Sequence, residues 1–148
     1  MIILSGAPSL SDFRRRKLLS LLNQTVPSVT GVTAEYRHFA EVSQPLTDNE
    51  KETLSALMRY GPTEQVLPLN GKLFLVVPRP GTISPWSSKA TDIVHNCGLQ
   101  SVIRVERGIA YYVEAQDRLT EQQIESIGHL LHDRMVETIF YDLDQAKT

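Results

Sequence analysis

Between Val32 and Val42 apolar and polar residues alternate, the pattern of a strand with one face in a core. Val32, Ala34, Tyr36, Ala40 and Val42 fall on one side, with His38 among them. Thr33, Glu35, Arg37 and Glu41 fall on the other, interrupted only by Phe39. A half-buried strand of this kind demands a sheet to pair in and a layer to cover its apolar side. His38 therefore reads as a hydrogen-bonded sheet residue rather than a metal ligand.

The flanking segments supply that layer. Ile2-Ser5 is a short apolar strand closed by Gly6-Ala7-Pro8, and Ser9 or Ser11 can cap a helix carrying Phe13, Lys17, Leu18 and Leu21. Thr47-Asp48-Asn49-Glu50 is a capping box ahead of a helix with Leu54, Leu57 and Met58 on one stripe, stopped by Gly61-Pro62. Residues 63–71 read as a loop, and Lys72-Val77 as a central strand covered on both faces. Ser87 or Ser88 is the expected cap of a helix bearing Ala90, Ile93, Val94 and Cys97, ended by Gly98. Val102-Glu106 and Ile109-Glu114 read as a hairpin about Arg107-Gly108. A second capping box, Thr120 to Gln123, opens a helix with Ile124, Ile127 and Leu131 on one face, and Val136-Leu143 closes as a strand. The order is β-α-β-α-β-α-β-β-α-β, whose last six elements spell the ferredoxin-like βαββαβ unit. The expected fold is α+β, a mainly antiparallel sheet with helices packed on one face.

Composition narrows the function classes. A chain of 148 residues, 41% apolar and 22% charged, suits a single domain able to bury about 70% of its extended surface. One cysteine, Cys97, excludes a disulfide framework or a cysteine-rich zinc module. The longest apolar run, Leu73-Val77, is far too short for a membrane span, and no secretory leader opens the chain. Fifteen basic against seventeen acidic residues give a net charge of −2, without the basic excess of a nucleic-acid binder. The expectation is a cytoplasmic domain, with no nucleic acid and no membrane among its partners. The basic run Arg14-Arg15-Arg16-Lys17 reads as a solvated helix face rather than a phosphate site.

No complete catalytic constellation is visible. Cys97 falls on an apolar helix face near a C-terminus, where the dipole disfavours a thiolate, so a buried structural thiol is expected. His129 and His132 stand three apart without the His-Glu-x-x-His pattern, so no metal site is expected. His132 or Arg134 instead complements a helix C-terminus. Neither Gly-rich phosphate motif is present. What stands out is Pro78-Arg79-Pro80-Gly81-Thr82-Ile83-Ser84-Pro85-Trp86-Ser87-Ser88-Lys89, whose prolines forbid a regular ladder. It reads as a stiff docking loop, with Trp86 and Arg79 as interface anchors; an anion site made of its hydroxyls, Arg79, Lys89 and the following helix N-terminus is the alternative.

The run from Arg79 to Ile93, followed by His95-Asn96-Cys97-Gly98-Leu99, closely resembles the N-terminal domain of the large single-chain phosphoribosylformylglycinamidine synthases. Supporting stretches are Ala34-Glu-Tyr-x-His-Phe39, Tyr60-Gly61-Pro62, Arg104-x-Glu-Arg-Gly-x-Ala-Tyr-Tyr112 and Leu131-His-Asp-Arg-Met135. The resemblance covers residues 1–143 as one PurS-like domain, with 144–148 opening a linker to an absent synthetase domain. It implies a much longer ATP- and glutamine-dependent ligase of purine biosynthesis. There a glutaminase domain releases ammonia, and a synthetase domain uses ATP and Mg²⁺ to activate the formylglycinamide oxygen. By that resemblance no catalytic residue, cofactor or metal belongs to this fragment, which alone is expected to be inactive. Its implied role is scaffolding between the synthetase and glutaminase domains of the same chain, helping to shape the ammonia passage. Arg79, Thr82, Ser84, Trp86, Ser87 and Lys89 are the expected contacts with those neighbours. Apolar faces orphaned by truncation would let the fragment self-associate.

Overall fold

In the computed structural model, residues 2–58, 71–79, 84–132 and 135–141 are described. The elements are β1 (Ile2–Pro8), α1 (Asp12–Thr25), β2 (Val29–Val42), α2 (Asp48–Leu57), β3 (Lys72–Pro78), α3 (Pro85–Asn96), β4 (Val102–Ala115), α4 (Glu121–Leu131) and β5 (Glu137–Phe140). The strands form one sheet in the order β1-β2-β4-β3-β5, antiparallel at every pairing. This is an α+β fold, consistent with a ferredoxin-like arrangement.

Local signals set the helix starts. Both capping boxes form: the Thr47 hydroxyl accepts from the Glu50 N–H at 3.2 Å while the Glu50 carboxylate accepts from the Thr47 N–H at 2.9 Å. Thr120 and Gln123 repeat the exchange at 3.1 and 3.0 Å. Of the two candidate caps for α1, Ser11 does the work. The expected stop of α2 at Gly61-Pro62, the loop at 63–70 and the C-terminal stretch including Leu143 lie outside the described residues.

Two expectations are corrected. The hairpin about Arg107-Gly108 does not form: β4 runs unbroken through both residues, paired with β2 from Val29↔Ala115 to Val42↔Val102. Among the described residues there are five strands rather than six, and the literal βαββαβ order is not among them. Gly108 serves a close approach instead of a turn. A Cβ there would lie 2.7 Å from Val77 Cγ1 and 2.8 Å from the Val76 carbonyl oxygen. The second correction concerns α3, capped by Ser84 rather than Ser87 or Ser88. The Ser84 hydroxyl accepts from the Ser87 N–H at 3.0 Å, and Pro85 takes the first helical position, where its missing N–H costs nothing.

Register then decides the faces. Val32 and Ala34 of β2 stand beside Val113 and Tyr111 of β4, and join Phe74 and Val76 of β3 under Leu22 of α1 and Ile127 and Leu131 of α4. Further along the same face, Ala40 and Val105 pack with Leu54 of α2 and Val94 of α3. The described helices thus cover one sheet face, as expected, in two apolar clusters. Each fully buried leucine or isoleucine there contributes about 1.5–3 kcal/mol. The opposite face gathers Phe39, Leu75, Val77 and Ala110, with no helix residue among them. It is not the solvated face that the alternation suggested. Arg37 is only 6% exposed, ion-paired with Glu35 and donating to the Tyr112 hydroxyl at 3.2 Å. Burial raises the Glu35 pKa even though the Arg37 charge works against it.

Candidate functional site

Beyond the Val76↔Ile109 pair, β3 no longer pairs with β4, and the N-terminal half of β4 meets α3 instead. A polar stripe on α3 takes over at Ser84, Ser87, Thr91 and His95, spaced to fall on one helix face. Ser87 Oγ donates to the Val105 carbonyl at 2.5 Å, and the Val105 N–H donates to Thr91 Oγ1 at 3.1 Å. His95 Nε2 lies 2.6 Å from the Val102 carbonyl, so that nitrogen carries the proton. Ser84, at the cap, donates to Glu106 Oε1 at 2.8 Å, and the same oxygen accepts from the Arg107 N–H at 2.9 Å. From Ser84 onward the segment that reads as an irregular loop is therefore a brace whose hydroxyls satisfy a strand edge.

Trp86 locks the brace to the sheet. The Arg107 guanidinium carbon sits 4.8 Å from the Trp86 ring centroid and 4.6 Å from that of Tyr36. His38, only 1% exposed, lies 5.6 Å from Trp86, ring to ring. Burial, with the Arg107 charge second, lowers the His38 pKa to about 4, so the imidazole is neutral near pH 7. That agrees with its reading as a sheet residue.

The expected contact residues are sorted by this geometry. Ser87 is 0% exposed, so its side chain offers no surface to a neighbour. Ser84 and Trp86 are half-buried and engaged within the domain. Arg79 and Lys89 are exposed, and Thr82 lies outside the described residues. The Arg79 N–H donates to the Val136 carbonyl at 3.0 Å, which sets Arg79 beside Met135 and Val136, 81% and 56% exposed. Residue types alone did not single out Glu106, Arg107, Tyr36, Thr91 or His95 for this cluster. The 84-87-91-95 spacing was the one available signal.

Cys97 corrects another expectation. It is exposed at the C-cap of α3 rather than buried in the core, where Val94 and Leu99 on either side of it are the buried residues. His129 and His132 do not converge. His129 Nε2 is 3.7 Å from Glu125, while His132 Nδ1 donates to the Gly128 carbonyl at 2.6 Å, in the last turn of α4. Among the described residues no three His, Cys, Asp or Glu side chains come together to hold a metal ion. Among the described residues no helix is long and apolar enough to cross a membrane.

Fold and brace together define a small α+β domain in which the distinctive residues serve assembly of the sheet. The family model described as formylglycinamide ribonucleotide amidotransferase N-terminal matches residues 35–148, from within β2 onward. The chain belongs to that family, the N-terminal domain of an amidotransferase of purine biosynthesis.

Proposed function

We propose that this chain is the docking domain of its amidotransferase, an ATP-dependent ligase, and packs between the synthetase and glutaminase parts to help seal the ammonia passage. The observation that carries this is the surface at the root of the brace. Exposed Arg79 lies beside exposed Met135 and Val136, tied there through its N–H to the Val136 carbonyl. A cation next to contiguous apolar side chains is the composition of an interface. Ammonia is neutral in its reactive form and easily lost to water, so a sealed junction between domains serves the reaction. Arg79 and Lys89 are the contacting residues in this reading. Ser84, Trp86 and Ser87 are positioning residues.

The alternative, an independent anion- or nucleotide-binding domain, needs hydroxyls at 84 and 87 that already bond Glu106 and Val105. Titrating the isolated chain with ATP, glutamine and formylglycinamide ribonucleotide separates the two. Docking predicts no saturable binding and no turnover. Micromolar binding of any of the three would return the function to the chain itself.

A further inference from the structure

We infer that the outward face of α1 is a second docking surface, shaped for an acidic protein surface that carries an apolar ridge; the inference rests on the docking reading above. Helix α1 has few ties inward. Leu22 is its only fully buried residue, with Leu18 and Leu19 half-buried. Phe13 and Leu21 stand 75% and 45% exposed. Arg14, Lys17, Leu18, Ser20, Leu21 and Gln24 line one open face of the helix.

Charge selects the occupant. The helix carries one acidic and four basic side chains, +3 in a chain of net charge −2, which leaves −5 for everything else. Arg15 turns toward Asp12, 3.5 Å away, while Arg14, Arg16 and Lys17 point to solvent. A basic, partly apolar face on an otherwise acidic body complements carboxylates flanking an apolar side chain. An anionic bilayer fits less well. Only two large apolar side chains would enter it, and the remaining −5 would be repelled.

The test mixes the 148-residue chain with the rest of its amidotransferase, supplied as a separate polypeptide, and measures affinity at low and high salt. The wild-type chain should bind, more weakly as salt rises. Arg14→Glu with Lys17→Glu and Leu21→Ser should weaken binding by about tenfold or more without lowering the melting temperature. If those changes lower the melting temperature, Arg14→Gln with Lys17→Gln replaces them and should still weaken binding. A variant that binds as wild type overturns the α1 surface while leaving the docking reading intact. Wild-type chain that fails to bind at all overturns the docking reading, and the α1 surface with it. Binding to vesicles of 30% phosphatidylserine that the charge-reversed variant loses would also overturn the inference, in favour of a lipid surface.

Discussion

Helices α1 and α3 lie on the same face of the same sheet but are held in different ways. The first is fixed by apolar contact, through Leu22 and half-buried Leu18 and Leu19, with Asn23 donating to the Pro27 and Val29 carbonyls at its end. The second is keyed by hydrogen bonds that Ser84, Ser87 and His95 donate to β4 and that Thr91 accepts from it. Apolar contact tolerates small slides, whereas a hydroxyl bonded to one carbonyl fixes register. The keyed helix carries Lys89, which docking would need held still, and the loosely seated one exposes a basic face.

Five substitutions break or sharpen that contrast. Leu22→Ala empties a site that is 0% exposed and should destabilise the domain by about 3 kcal/mol, read as a fall in the denaturation midpoint. The pH dependence comes next. Unfolded His38 takes up its proton below about pH 6.5 and folded His38 only below about 4, so stability is lost as pH falls through that window, by roughly 3 kcal/mol at most. Glu35, with its pKa raised, has the opposite sign and gains as pH falls. His38→Gln should therefore flatten the loss between pH 6.5 and 4; an unchanged slope would show that the imidazole does not control it.

Gly108→Ala forces a Cβ against the Val76 carbonyl and Val77 and should cost about 2 kcal/mol, whereas a turn glycine with φ < 0 would accept alanine easily. Ser87→Ala leaves the Val105 carbonyl without its buried donor and should cost about 1–2 kcal/mol. The same change at exposed Ser20 of α1 should be nearly silent. Equal effects at 87 and 20 would erase the distinction between keyed and unkeyed helices.

How much was legible in the chain follows the range of each interaction. The capping boxes at Thr47 and Thr120 are contacts three residues apart, and they form as read. The strand at Val32–Val42 was legible from alternation, yet the burial of Arg37 was not, because it depends on what covers the second face. Arg107-Gly108 resembles a turn locally; its continuity comes from pairing with residues about 70 positions earlier, Arg37↔Gly108 and His38↔Arg107. The segment at 78–89 stands out in the sequence by its prolines and hydroxyls. That Ser84 and Ser87 face inward depends on β3 and β4 ceasing to pair near Ile109, a register no local pattern records.

Rates with two nitrogen sources test the central claim, docking rather than chemistry at the brace, most directly. In the intact amidotransferase carrying Arg79→Ala and Lys89→Ala, glutamine-driven turnover should fall by about tenfold while turnover fed with external ammonium is unchanged. Both rates unchanged, or both falling together, would contradict it.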